Sequence, residues 1–244
     1  MTVPDELRLA LRQAERITVL TGAGTSAESG VPTFRDAQTG LWARYDPQEL
    51  ATPEAFRNNP RLVWEWYNWR RELVRTAAPN PGHLALAQMA TRLPDLTLIT
   101  QNVDGLHQRA GSPNVIELHG NILRTRCSQG ACLVETWQET GQVPPACPRC
   151  GAHLRPDVVW FGESLPSQAL EDAWLAACTC QVFFSIGTSS VVEPAASLPG
   201  LAQGYGALVV EINPHPTPLT PKADFVFRAP SGLALPALVK AVWG

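Results

Sequence analysis

The sequence predicts an α/β fold: a parallel sheet with helices on both faces and one small insert. Two observations carry that prediction. From residue 17 onward, short apolar strands alternate with amphipathic stretches, the pattern of strands joined by crossover helices. A glycine-rich corner directly follows the first strand, where such a sheet turns into its first helix. Strands are expected near Ile17–Leu20, Leu96–Ile99, Val115–Leu118, Val182–Ile186, Leu208–Ile212 and Phe225–Phe227.

The totals are consistent with this. The 244 residues allow one large domain or a main domain with an insert, and 45% hydrophobic content with a net charge of −3 supports a packed core. The near-neutral balance gives no argument for a nucleic-acid surface. No apolar run approaches the roughly 18 residues of a membrane span. Met1 to Arg16, with Asp5, Glu6 and Glu15 among its arginines, reads as a short amphipathic helix and not as a signal peptide. Six cysteines without a secretion signal point to a reducing compartment, where metal binding outranks disulfides.

The strand Ile17–Leu20 leads into Thr21-Gly22-Ala23-Gly24-Thr25-Ser26-Ala27-Glu28-Ser29-Gly30. Gly22 and Gly24 allow a tight turn and close backbone approach to a ligand, and Ala27 takes the position that packs a helix on its strand. N–H groups at the start of that helix suit a phosphate. A plain strand–turn–helix corner uses the same glycines. No second strand ending in an acid follows about 20 residues on, as the usual dinucleotide fingerprint requires. A polar loop with Phe34, Arg35 and Asp36 stands there instead, and a guanidinium suits a diphosphate.

A helix is expected over residues 61–76, with Pro60 in its first turn. Val63, Tyr67, Arg70 and Val74 share one face, so a hydroxyl and a guanidinium on that face suit a carboxylate. The alternative is an ordinary amphipathic helix with a snorkelling arginine. The strand ending at Ile99 delivers Gln101, Asn102 and Asp104, polar groups at a strand end where ligands collect. His107 reads as a helix residue only. The strand Val115–Leu118 delivers His119-Gly120. His119 is either structural or a general base titrating near neutrality.

Four residues separate Cys127 from Cys132 and two separate Cys147 from Cys150, with fourteen residues between the pairs. Four thiolates suit a closed, structural tetrahedral Zn²⁺. Residues 121–156 then form a zinc-ribbon module, and 1–120 with 157–244 form a Rossmann-like domain carrying a helical insert at about 36–80. Cys178 and Cys180 read as buried core thiols. Arg155–Glu163 reads as an extended edge suited to a peptide strand, or as a core strand. Gly187-Thr188-Ser189-Ser190 and Asn213 close two further strands with small polar groups that fit a nucleotide. A helix from Leu233 to Val242 ends the chain.

Together these segments resemble the sirtuins, the NAD-dependent protein lysine deacylases. The likeness runs from about residue 15 to the C-terminus. It rests, in order, on Gly22-Ala23-Gly24-x-Ser26-x-Glu28-Ser29-Gly30-x-Pro32-x-Phe34-Arg35, Gln101-Asn102-x-Asp104, Leu118-His119-Gly120, the cysteine quartet, Trp160-Phe161-Gly162-Glu163 and Gly187-Thr188-Ser189. The resemblance implies NAD as co-substrate and one structural Zn²⁺ on Cys127, Cys132, Cys147 and Cys150. It implies NAD contacts at Gly22, Ala23, Gly24, Thr25, Ser26, Ala27, Phe34, Arg35, Gln101, Asn102, Asp104, Gly187, Thr188, Ser189, Asn213 and Ala229. His119 is implied as the base and Asn102 as the residue orienting water and ribose. Val159, Trp160, Phe161, Gly162 and Glu163 would seat acyl-lysine, with release of nicotinamide, free lysine and O-acyl-ADP-ribose.

Tyr67-x-x-Arg70 resembles the pair that holds the acidic acyl group in desuccinylase-like sirtuins, so succinyl-, malonyl- and acetyl-lysine are the expected substrates. An ADP-ribosyltransferase or NAD glycohydrolase on the same scaffold is the rival reading. The partners expected are acylated lysine peptides and proteins, with no membrane or direct nucleic-acid contact, for a cytoplasmic monomer. The sequence departs from the family in Asn213-Pro214-His215, where many members carry an acid two places after the Asn, and in the loop Asp36–Trp42.

Overall fold

The computed structural model describes residues 2–32, 45–130 and 132–244. Helix α1 (Asp5–Gln13) precedes β1 (Arg16–Thr21) and the short α2 (Ala23–Ala27). Three helices follow, α3 (Pro47–Leu50), α4 (Pro53–Asn58) and α5 (Pro60–Thr76), then α6 (Pro81–Ala90), β2 (Asp95–Thr100), α7 (Leu106–Arg109) and β3 (Val115–Glu117). Strands β4 (Gly120–Cys127) and β5 (Leu154–Val158) flank the cysteine segment. The chain then runs through α8 (Ser167–Thr179), β6 (Val182–Ile186), α9 (Leu198–Gly204), β7 (Leu208–Ile212), β8 (Phe225–Phe227) and α10 (Ser231–Trp243).

Six strands form one parallel sheet in the order β3-β2-β1-β6-β7-β8. This is the doubly wound Rossmann order, which reverses between β1 and β6 and opens a crevice beyond their carboxyl ends. Alternation along each strand feeds two cores. Val19, Leu98, Phe184 and Val210 pack with Leu7, Leu11, Leu86, Met89, Leu235 and Leu238 of α1, α6 and α10. On the opposite face, Leu20, Ile99, Phe183 and Val209 pack with Ala173, Ala177, Leu198 and Ala202 of α8 and α9. Helices therefore cover both faces, and all six expected strands form.

Strands β4 and β5 make a separate antiparallel pair. The cluster under it joins Trp64 of α5 to Cys127, Val134, Cys147 and Leu154. A second cluster ties α5, through Val63, Trp66, Tyr67 and Val74, to Ile122, Val158 and Trp160. Helix α5 forms because Asn59 accepts from Leu62 N–H at 3.0 Å and Pro60 opens the first turn. Among the described residues, no helix is long and apolar enough to cross a membrane.

The expected extended edge over Arg155–Glu163 is not continuous. Strand β5 ends at Val158, and the chain then turns. The N–H groups of Val159, Phe161 and Glu163 donate to His119, Ala51 and Trp160 carbonyls, and that of Trp160 to the Glu163 carboxylate. A two-pronged Arg155–Glu163 ion pair, at 2.6 and 2.8 Å, closes the turn. The local carboxylate outcompetes an extended conformation that would leave those donors without acceptors. Of the two expected core thiols, Cys180 is buried and Cys178 is half-buried.

Candidate functional site

The loops after β1 and β6 meet at the crevice. Gly22 N–H donates to Ile186 O, and Gly24 N–H to Gly187 O at 2.9 Å. A Cβ on Gly22 or Gly24 would stand 2.8 Å from Gly187 O, and one on Gly187 only 2.5 Å from Thr25 N. The glycines are thus required because two backbones touch, where the sequence suggested a tight turn and ligand approach. Gly22 itself has an ordinary extended φ of −126°. Ala27 does not pack the helix on its strand. It is exposed, and Thr25 and Ser26 are the buried residues of α2. The N–H groups of Gly22, Gly24 and Thr25 all have protein acceptors, and among the described residues none is found for that of Ala23, the first residue of α2. Phe34 and Arg35 lie outside the described residues.

A buried polar chain lies behind this loop. Asn102 donates from Nδ2 to Gly22 O at 3.0 Å and to Ser26 Oγ at 3.1 Å, so its Oδ1 remains to accept. Thr21 Oγ1 bonds Thr100 Oγ1 at 2.9 Å and lies 2.9 Å from His107 Nε2. The His107 ring stands 4.7 Å from that of His83, whose Nε2 is 3.4 Å from Ser26 Oγ. Burial pushes His83 down to about 4, and burial together with His83 pushes His107 down to about 3, so both are neutral imidazoles at pH 7. His107 is therefore more than the plain helix residue expected. His83 was missed altogether. It caps α6 through a reciprocal bond with Asn80, and Asn80-Pro81 is a helix-start signal that locates it.

Asp104 is buried and accepts from Leu106 N–H at 2.9 Å. Burial raises its pKa above the ordinary carboxylate range. His119 is half-buried at the end of β3, its Nδ1 3.0 Å from Gln101 O. A carbonyl only accepts, so Nδ1 carries the proton and Nε2 keeps its lone pair. Burial lowers the His119 pKa, which favours the neutral ring. Gly120 permits this placement, since its φ is +78° and a Cβ would meet Asp157 O at 2.2 Å.

Towards the far side of the crevice, Thr188 Oγ1 contacts Ser185 Oγ and Ser190 Oγ, with Ser189 between them. Asn213 Nδ2 donates to Thr188 O at 2.7 Å and its Oδ1 accepts from His215 N–H, which ties the loops after β6 and β7 together. Glu211, buried in β7, accepts from Thr217, Thr220 and Arg228, and so shapes the Pro-rich loop. His215 is exposed there, and Ala229 is half-buried just after β8.

Val63, Tyr67, Arg70 and Val74 are all buried on one face of α5, as their spacing requires. Tyr67 Oη accepts from Trp160 Nε1 at 3.0 Å, and the Arg70 guanidinium stands 5.2 Å from the Trp66 ring centre. Burial pushes the Tyr67 hydroxyl up to about 12 and lowers the Arg70 pKa. Phe161 is exposed, and Gly162 has a φ of +86° at the turn.

The sulfur ligand atoms of Cys127, Cys147 and Cys150 lie within 4.8 Å of one another, with Cys127 and Cys150 3.5 Å apart. Tetrahedral Zn²⁺ with bonds of about 2.3 Å needs sulfurs about 3.8 Å apart, so these three fit. The Arg149 N–H holds Cys147 below the usual thiol range, towards the thiolate a metal requires. Cys132 is outside that group of sulfurs, although its carbonyl accepts from Cys127 N–H at 3.1 Å.

This arrangement has counterparts among known proteins. The sequence model of the Sir2 family matches residues 22–194. The NAD-dependent protein deacylase of Ralstonia nicotianae is 56% identical over 238 residues, covering 97% of this chain and 96% of that one. A Sir2 homologue mutant bound to 2′-O-acetyl ADP ribose superposes with a TM-score of 0.91 at 46% identity, covering 99% and 97% of the two chains. A Sir2 complex with p53 peptide and NAD⁺ gives 0.86 at 29% identity, covering 98% of each. Sheet order, glycine corner and near-full-length identity agree, and the chain belongs to the Sir2 family.

Proposed function

We propose that this protein is an NAD-dependent protein-lysine deacylase that removes acidic acyl groups, succinyl and malonyl, as well as acetyl. The observation that carries the reading is His119, held by Gln101 O with Nε2 left as the base, at the carboxyl end of the sheet beside the residues that follow β2. Bound NAD supplies an activated ribose carbon with nicotinamide as leaving group. The residues present fit it: the Ala23 N–H, the Asn102 Oδ1 and the buried Asp104 are the polar groups that remain to meet it. In this reading Asp104 pairs the carboxamide, because a carboxylate buried at a strand end can accept from an amide N–H. Asn102 orients a ribose hydroxyl or water through Oδ1. His119 then takes the proton of a ribose hydroxyl at Nε2.

Gly22–Ala27, Phe34, Arg35, Gln101, Gly187–Ser189, Asn213 and Ala229 would hold the remainder of the dinucleotide. Acyl-lysine would lie against Val159–Glu163, with its distal carboxylate between Tyr67 and Arg70. That assignment is supported by a buried hydroxyl and a buried guanidinium on one helix face. Residues 121–156 would be a zinc module, with Cys132 turning in as the fourth ligand, carried by the 1–120 and 157–244 domain. A fully ligated zinc holds this module together and takes no part in the proton transfer. Cysteines used as zinc ligands and core thiols, not as disulfides, suit a cytoplasmic protein, which we take to act as a monomer.

The test is His119→Ala with succinyl-peptide and NAD. Turnover is expected to vanish while NAD binding by calorimetry persists, and near-normal turnover would refute the base. With wild type, kcat/KM should rise as pH climbs through the lowered His119 pKa and be level by neutrality. An acid limb centred above pH 6.5, the ordinary histidine value, would contradict a desolvated base.

A further inference from the structure

A second cavity lies away from the crevice, between α5 and the cysteine module. It measures about 330 Å³. Its walls include Trp64, Trp137 and Val143, and its polar lining includes Asn68, Arg71 and Arg75. The two tryptophans meet edge to face with ring centres 6.5 Å apart.

Arg71 makes this cavity unusual. It is buried at 5% exposure, with its guanidinium 5.0 Å from the Trp64 ring centre. Its partners are all neutral: Ile122 O at 2.7 Å, Asn68 Oδ1 at 3.0 Å, and Arg124 O and Thr125 Oγ1 at 3.1 Å. Among the described residues, no carboxylate pairs with it. Burial, with Arg75 repelling it, pushes its pKa down to about 10. The one lining carboxylate, Glu139, is engaged by Trp137 Nε1 at 3.0 Å. Four bonds leave one of the five guanidinium N–H groups over. A buried cation without an anion is costly, and an anion from outside relieves that cost.

We propose that this cavity binds a flat aromatic carboxylate, with its ring laid against the Trp64–Trp137 pair and its anionic end towards Arg71 and Arg75. The size lies within the range of small-molecule sites, and an aromatic wall with a few convergent polar groups is their usual chemistry. A neutral aromatic would leave the cation uncompensated, and a bare phosphate would leave the indole walls unfilled. The site is separate from the crevice, because Tyr67 and Arg70 occupy another face of α5.

The experiment uses the full zinc-loaded chain and 2-naphthoate, followed by calorimetry and by tryptophan fluorescence. Saturable binding is expected, with the uncharged 2-naphthamide weaker by about tenfold or more, since one charge-assisted hydrogen bond is lost. Val143→Trp, at a partly exposed position, fills the cavity and should abolish binding. Arg75→Gln should weaken it by roughly threefold, the effect of one rim charge. Arg70→Met should leave it unchanged. Equal affinity for acid and amide, binding that survives Val143→Trp, binding lost in Arg70→Met, or no saturable binding would each overturn the proposal.

Discussion

Two faces of one helix repay comparison. Along α5, Val63, Tyr67, Arg70 and Val74 line one face, and Trp64, Asn68, Arg71 and Arg75 line the next. The two sets have the same spacing, shifted by one residue, which rotates the second by about 100°. Each contains an arginine taken out of water, with its charged form penalised by burial. Their surroundings differ. Arg71 has backbone and side-chain oxygens of β4 and Asn68 within 3.1 Å, so it fastens the helix to the cysteine module. Arg70 stands among aromatic rings, beside a hydroxyl held by Trp160. Arg71 is thus a fastener between helix and module, whereas Arg70, in the function proposed above, would be a recognition group.

The largest expected effect tests the fastened face. Zinc removal, by chelator or by Cys147→Ser, should unfold residues 121–156, at a cost on the order of 10 kcal/mol. Hydrogen exchange would show protection lost over Thr125–Leu154, and retained protection would remove the metal from the account. Arg71→Met should cost about 3–5 kcal/mol, since it strands four acceptors at a buried junction. For a chain of this length that lowers the melting temperature by roughly 10 °C. A melting curve within a degree or two of wild type would erase the contrast between the arginines.

Arg70→Met should lose roughly a hundredfold in kcat/KM on succinyl-lysine, because in the proposed reading the buried carboxylate would lose its charged partner. Deacetylation should fall far less, and equal losses would count against carboxylate recognition. Tyr67→Phe is the smallest change, about fivefold on the succinyl substrate, the value of one hydrogen bond. With the Tyr67 hydroxyl at about 12, alkaline pH up to 10 should not reproduce that loss.

Much of this was legible in the sequence. The six strands of the sheet are short apolar runs bounded by Gly, Asn or Asp, whereas their order is seen only in the fold. Helix periodicity alone put Tyr67 and Arg70 on one face, and both are buried there; the preference for reading the pair as a carboxylate site came with the family resemblance. What was not legible depended on contacts between distant segments. Gly22 and Gly24 resemble ligand-cradling glycines, but Gly187, more than 160 residues on, sets their need. The turn after Val158 depends on Glu163 reaching back to Arg155 and Trp160 N–H, a competition that strand propensity does not register. His83 and His107 carry no motif, and their value appears only once Thr21 and Ser26 face them.

Glu28, just past the glycine corner, accepts from Gly232 N–H at 2.7 Å and from Ser231 Oγ, at the start of α10. Arg12 likewise donates to Val242 O. On the ribosome, the acid beside the glycine corner therefore has no mate until some 200 residues more have been translated. The crevice cannot assume its final form during most of synthesis. Competence to take up the dinucleotide should arrive late and all at once, after the last helix clears the exit tunnel.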